Sequence, residues 1–224
     1  MEEEKRALLC SSIEASPEEL VASILPDDRE IHHPSGDLQV GLVLASSLSA
    51  ADKGIIWRIL ADAMKEMYEG SSFGWNPTKK KRELFHKLAR FILVRTRESA
   101  EVVAFTSFRF EEEDGFAVVY CYELHVSPNF HRCGLGRKLA RMLFDICRQR
   151  RLDKVMLTVF KANTIAIRFY ENIGFVLDPS SPEYGSTLPA DDGDDSWEDE
   201  GGGHVNEECD YMILSKAAIP SSYY

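Results

Sequence analysis

Residues 120–137 read Tyr120-Cys121-Tyr122-Glu123-Leu124-His125-Val126-Ser127-Pro128-Asn129-Phe130-His131-Arg132-Cys133-Gly134-Leu135-Gly136-Arg137. A strand up to Val126 gives way to a loop at Pro128. Gly134-Leu135-Gly136 then opens an amphipathic helix whose Leu139, Met142, Leu143 and Ile146 recur at three- and four-residue spacing, to about Arg151. Strand, glycine loop and helix N-terminus together make an anion site. The glycines let a ligand approach the backbone, the first-turn N–H groups have no intrahelical acceptors, and the helix dipole places about half a positive charge there. A G-x-G alone also reads as an ordinary glycine-containing helix start. The further glycines of a dinucleotide fingerprint and the Gly-Lys-Ser/Thr of a phosphate loop are missing.

Upstream, Val102 to Phe110 and Ala117 to Val126 alternate with period two around an Asp114-Gly115 turn, and the alternation begins at Arg90, so the spacing predicts an antiparallel meander. Leu38 to Leu44 reads as the first strand. Ser49 and Asp52 cap a helix to about Tyr68, Gly70 to Trp75 is a loop, and Asn76-Pro77 starts another helix on which Lys79 to Arg82 reads as a solvated face. Ser16-Pro17-Glu18-Glu19 starts a short helix to about Leu25. Downstream, Val155 to Phe160 is a strand, Asn163 to Asn172 a helix, and Tyr211 to Leu214 the last strand.

The 224 residues, 44% of them hydrophobic, suffice for one domain with appendages. The net charge of −11 is uneven. Residues 169–215 hold 13 of the 37 acids and no Lys or Arg, leaving 24 acids against 26 bases elsewhere. Direct nucleic-acid binding, which needs clustered bases, is disfavoured, and a basic partner fits better. The acidic, Gly- and Ser-containing tract at 179–208 is too polar to pack and is expected to be disordered. The sequence shows no apolar run long enough for a membrane span and an acidic N-terminus, which argues against membrane and secretory readings and for an intracellular protein. Five cysteines, each at least 12 residues from the next, give neither a disulfide framework nor close pairs for zinc, so no metal is expected.

In this setting His131-Arg132-Cys133-Gly134-Leu135-Gly136 resembles the acetyl-CoA loop of the GNAT acetyltransferase superfamily, Gln/Arg-x-x-Gly-x-Gly/Ala after the fourth strand, with His131 where Gln or Arg is usual. Asn163, Ala166, Phe169-Tyr170 and Gly174-Phe175 resemble its later helix and turn. Over roughly 38–216, Met67-Tyr68-Glu69, Phe73-Gly74-Trp75, Tyr120-Cys121-Tyr122-Glu123, Val155 to Lys161, Ser180-Ser181-Pro182 and Cys209-Asp210-Tyr211 resemble the N-terminal acetyltransferase D (NatD) family. Residues 184–207 would expand a shorter loop of that family, and its basic N-terminal opening is missing.

The resemblance implies an α/β fold of mixed α+β type, the GNAT acyltransferase fold, with a central, mostly antiparallel twisted sheet flanked by helices. Residues 1–35 would be an N-terminal helical extension, 36–178 and 209–217 the catalytic domain, and 179–208 the insertion. It implies direct acetyl transfer from acetyl-CoA, without a metal, to the α-amino group of histone tails beginning Ser-Gly-Arg-Gly, in nucleus and cytoplasm. By position, Leu124, His125, Val126, Arg132, Cys133, Gly134, Leu135, Gly136, Arg137 and Asn163 would contact acetyl-CoA. Tyr68, Glu111, Glu113, Tyr122, Thr158, Ser180 and Tyr211 would line the peptide site.

Glu123 and Tyr122 are the catalytic candidates. Glu123 would act as base, directly or through a water, or would only anchor the ammonium. Tyr122 points away from Glu123 in a regular strand, and a bulge would bring both to the site. Backbone N–H groups at 124–126 would polarise the thioester carbonyl. Glu111 and Glu113, at i and i+2, could grip an arginine or form an exposed acidic hairpin tip. Tyr170, His125, His131, Cys121 and Cys133 read as structural or packing groups. Two other readings stand beside this one: an enzyme of the same fold acting on lysine or a small amine, and a non-catalytic acidic binder of basic tails.

Overall fold

The computed structural model describes residues 2–22, 30–33, 36–184 and 209–218. Its centre is an eight-stranded sheet in the order β1-β2-β3-β4-β5-β6-β8-β7, antiparallel everywhere except between β5 and β6. The strands are β1 (Glu30–Ile31), β2 (Leu38–Leu44), β3 (Arg90–Thr96), β4 (Val102–Glu113), β5 (Phe116–Val126), β6 (Lys154–Phe160), β7 (Val176–Leu177) and β8 (Tyr211–Ala217). The helices are α1 (Glu2–Glu14), α2 (Pro17–Val21), α3 (Ala50–Glu69), α4 (Pro77–Leu84), α5 (Leu135–Gln149) and α6 (Thr164–Asn172). The expected mixed fold, a mostly antiparallel sheet flanked by helices, is what forms.

Alternation in β3 explains the layering. Ile92 and Val94 face a core with Leu139, Met142 and Ile146 of α5, while Phe91 and Leu93 face a second core with Ile56 and Leu60 of α3 and Leu84 of α4. Ser49 starts α3 by accepting from the Asp52 N–H at 3.0 Å, and Asn76 starts α4 by accepting from the Lys79 N–H at 2.9 Å. Two strands were not anticipated: β1 and β7, at two residues each, are too short to show a period. The last strand runs to Ala217, three residues beyond the expected Leu214. The α2 helix ends at Val21, short of Leu25, and residues 185–208 of the acidic tract lie outside the described residues.

The N-terminal segment packs on the sheet, with Leu9 and Leu20 in the α5-side core. Arg90, 3% exposed, lies across the end of α1 and donates to the carbonyls of Ser12, Ile13 and Ala15, of which that of Ser12 also accepts from the Ala15 N–H. Arg150 adds bonds to Ser11 and Ser12. Arg90→Met should therefore lower unfolding free energy by about 1–3 kcal/mol by leaving buried carbonyls unpaired. Urea unfolding checks this, and an unchanged midpoint would show that other groups satisfy the end of α1.

Candidate active site

The parallel pairing of β5 with β6 stops at Cys121 and Leu157, so 122–126 and 158–160 diverge into a splay. Opposite it, β4 pairs Ser107 with Glu123 but Phe108 with Cys121, which makes Tyr122 an extra residue. This is the bulge anticipated at Tyr122. Tyr122 and Glu123 both line one cleft of about 530 Å³ between α3, α4, β5, β6 and β8, a volume typical of small-molecule and peptide sites.

Glu123 is 7% exposed and both its oxygens are engaged. Lys80 Nζ lies 2.7 Å from Oε1 and His125 Nε2 lies 2.6 Å from Oε2. Burial pushes the carboxyl up, but the Lys80 ammonium and the His125 bond outweigh it and hold the group at about 2. Lys80 also meets Glu83 at 2.7 Å and sits 4.9 Å above the Tyr68 ring. Burial disfavours its charge, yet Glu123, Tyr68 and Glu83 together raise its proton affinity. Two expectations are corrected here. Lys79 to Arg82 is not wholly a solvated face, because Lys80 is 7% exposed and shares the inward side of α4 with Leu84, four residues on. His125, read as a structural or packing group, lines the cleft and bonds Glu123, two residues back on the same strand face. His131 likewise bonds the Val126 carbonyl at 2.8 Å.

On the α4 side of the cleft, Tyr120 and Thr158 share a 2.6 Å hydrogen bond across the splay. Burial pushes the Tyr120 and Tyr68 phenols up to about 12, so both stay protonated donors. The Tyr122 O–H donates to both Glu111 oxygens, at 2.8 and 3.0 Å. Glu111 is thereby placed behind Tyr122 and does not line the cleft, whereas Glu113 does. Burial first, then the charges of Glu111 and Asp114, raises the Glu113 carboxyl. Tyr68, Phe73, Phe160 and Tyr211 close one end with edge-on rings, Tyr68 to Phe160 at 5.0 Å and Phe73 to Tyr211 at 5.4 Å. The Phe73 loop is strapped there by Ser72, whose N–H and hydroxyl both donate to Asp210 at the start of β8.

Ser180, expected in the peptide site, lies elsewhere. Its N–H and hydroxyl donate to Asp178 at 3.0 and 2.6 Å, beside the Lys154–Asp178 ion pair. The serine follows a buried aspartate by two residues, and that local bond fixes its direction.

On the other side of β5 the glycine loop reaches α5. Arg132 and Gly134 have φ of 59° and 85°, and Gly134 caps α5 without a side-chain hydrogen bond, so the first-turn N–H groups face outward uncapped by any side chain. Arg132 and Arg137 are exposed beside them. The Leu135 side chain is 1% exposed in the core and the Cys133 thiol donates to the Phe130 carbonyl at 2.7 Å, so both could meet a ligand only through their backbone. A Cβ at Gly136 would stand 3.4 Å from the Phe169 ring. Asn163 lines the cleft, but its Oδ1 accepts from the Ala166 N–H as the cap of α6, leaving its NH₂ as the group for a ligand. Leu124, His125 and Val126 lie between the two sides, half-buried in the splay. Amide donors, two arginines and a glycine approach form a set suited to a diphosphate, so these residues fit the CoA that the sequence resemblance implies. Among the described residues no group of three or more His, Cys, Asp or Glu side chains could hold a metal ion, and no helix is long and apolar enough to cross a membrane.

A sheet splayed beside a glycine loop and an uncapped helix defines a class of acyl-transfer proteins, and comparison with known sequences agrees. The acetyltransferase (GNAT) family pattern matches residues 57–175, more than half of the 224, and the chain belongs to that family. Among relatives, it is similar to N-alpha-acetyltransferase 40 of Saccharomyces cerevisiae, 35% identical over 114 residues that make up 43% of this chain and 40% of that protein. It is also similar to the mycothiol acetyltransferase of Thermobispora bispora, 46% identical over 54 residues, 24% of this chain and 18% of that one. The chain thus spans less than half the length of either. The PaiA N-acetyltransferase of Thermoplasma acidophilum, solved in complex with coenzyme A, shares the fold, with a TM-score of 0.50 and 13% identity over 80% of this chain and 99% of that one.

Proposed function

We propose that this chain transfers the acetyl group of acetyl-CoA to the α-amino group of a basic peptide beginning Ser-Gly-Arg-Gly, as histone tails do, in the nucleus and cytoplasm. The observation that carries the proposal is the Tyr122 bulge opposite the splay, because it aims an acidic, aromatic-walled cleft and an uncapped helix N-terminus at the same five residues, 122–126. The yeast relative named N-alpha-acetyltransferase 40 supports the α-amine, and the fold neighbour bound to coenzyme A supports the donor. In this reading 36–178 and 209–217 are the catalytic unit, 1–35 an extension and 179–208 an insertion.

Leu124, His125 and Val126 offer backbone N–H groups to the thioester oxygen, while 132–137 with Asn163 seat the diphosphate and the pantetheine arm. The amine nitrogen attacks the thioester carbon, the C–N bond forms, the C–S bond breaks and the thiol leaves with a proton. Glu123, held ionised at about 2, accepts a hydrogen bond from the amine or a bridging water and is a poor final proton store. Little base help is needed, since an α-amine has a reference pKa near 7.7–8.0 against about 10.4 for lysine, which gives it a neutral fraction several hundred-fold larger at pH 7. Glu113 is placed for the cationic side chains of the peptide, with Tyr122 oriented by Glu111. Tyr68, Thr158 and Tyr211 border its first residue. The closed aromatic end suits a chain terminus, where a lysine would need an open channel.

Mass spectrometry after incubation with acetyl-CoA and a Ser-Gly-Arg-Gly peptide, free or N-terminally blocked, tests this. Acetylation of the free peptide alone is expected, and equal labelling of the blocked peptide would refute α-amine transfer. Deleting residues 184–207 should leave turnover in place with a weaker dependence on ionic strength. Loss of tail binding on that deletion, with no turnover in the parent, would instead favour a non-catalytic acidic binder.

A further inference from the structure

We propose that Lys80 is a positioning residue for the transfer, its ammonium wedged between Glu123, Glu83 and the face of Tyr68 so that one oxygen of Glu123 is pinned and the carboxylate stays ionised toward the cleft. The role in catalysis rests on the transfer reading above, whereas the electrostatic arrangement does not.

Glu123 has few other means of staying charged. It is 7% exposed, and burial alone drives a carboxyl towards its neutral form. Six ionisable or dipolar groups on the surrounding elements face it. Lys80 and Glu83 come from α4, Tyr68 from α3, Cys121 and His125 from its own strand, and Tyr170 from α6. Burial keeps Tyr68, Cys121 and Tyr170 protonated and neutral at physiological pH. Glu83 is an acid, and an acid nearby disfavours the charge on Glu123. On the facing strand, Ser107, paired with Glu123, has a buried hydroxyl without a hydrogen-bond partner and supplies no compensating bond. The permanent positive charge in this set belongs to Lys80, and His125 contributes a hydrogen bond to the second oxygen.

The same geometry acts on the acceptor. An amine entering beside Glu123 also approaches the Lys80 ammonium, which offsets the carboxylate's charge, so the site holds an ammonium less tightly than an unpaired Glu123 would. Lys80 would therefore set the protonation state of Glu123 and weaken its grip on the protonated acceptor.

The test is a carboxyl-carbon NMR titration of the full chain carrying labelled glutamate, from pH 2 to pH 8, in wild type, Lys80→Met and Lys80→Arg. Wild-type Glu123 should show no midpoint above pH 4. In Lys80→Met the midpoint should move up by about 2 pH units or more, because burial is then opposed by the His125 bond alone, and Lys80→Arg should restore most of the wild-type position. An unmoved midpoint in Lys80→Met overturns the proposal. So does a wild-type midpoint at or above 4.5, a result that needs no variant if Lys80→Met does not fold. The titration uses no acceptor, so failure of the peptide assay removes the α-amine reading and leaves this measurement intact. In kinetics, the acid limb of kcat/KM should steepen from about 10-fold to about 100-fold per pH unit in Lys80→Met, since a second group must then be deprotonated. A uniform loss at every pH would show a purely structural lysine.

Discussion

Glu123→Gln should lower both the stability of the fold and its turnover. The substitution leaves His125 without its carboxylate and Lys80 without one of its two.

 Lys80 is 7% exposed, and Glu83 becomes its one remaining carboxylate partner among the described residues. Breaking a buried pair costs about 3–5 kcal/mol because the surviving charge stays desolvated, and Glu83 should hold the loss near the lower figure. Turnover suffers separately. A charge-assisted hydrogen bond to the amine contributes about 1.5–3 kcal/mol, so kcat/KM should fall about 10- to 100-fold. Urea unfolding and initial rates at saturating acetyl-CoA measure the two effects independently. Unchanged turnover would remove Glu123 from the reaction.

Asp178→Asn should have the next largest effect, and it is a matter of pH. Asp178 is 1% exposed and accepts from Lys154 at 2.6 Å and from the N–H and hydroxyl of Ser180. Burial pushes its carboxyl up, but these bonds outweigh burial and hold it at about 2, below the 3.8 of an unperturbed aspartate. A carboxyl whose folded value is depressed stabilises the fold above its unfolded value and loses that stabilisation as pH falls through the folded one. The contribution here is about 2 kcal/mol, complete above about pH 4 and declining towards pH 2. With asparagine, the Lys154 side chain, 13% exposed, loses its carboxylate, at a cost of about 3 kcal/mol near neutrality. Denaturant midpoints should therefore differ widely between wild type and variant at pH 7 and draw together near pH 2. A gap of constant width would contradict the assignment.

Much of this architecture is legible in the sequence, for reasons that differ by element. Leu38 to Leu44 is found as β2 with the bounds expected, and the Ser49 and Asn76 caps start α3 and α4 where predicted, because period and capping are local signals. The bulge at Tyr122 could be anticipated only as a chemical requirement, since nothing in the residues themselves marks the extra position. Lys80 was hidden because its burial depends on where α4 crosses β5. The clue available was its spacing of four from Leu84 and of three from Glu83. The bond between His125 and Glu123 was not foreseen, although their i, i+2 spacing places both on one strand face. Ser180 went astray for the opposite reason: a family position suggested the cleft, while a nearby buried aspartate captured the side chain. The docking of α1 rests on Arg90, 75 or more residues from the carbonyls it meets, a distance over which no sequence period operates.

The account depends most on acetyl-CoA lying in the splay between β5 and β6 with its diphosphate on the first turn of α5. Amide hydrogen exchange with and without CoA tests that placement directly. The account predicts saturable uptake of one CoA per chain, with slowed exchange concentrated at 124–126 and 132–137. No uptake, or protection confined to other segments, would contradict it.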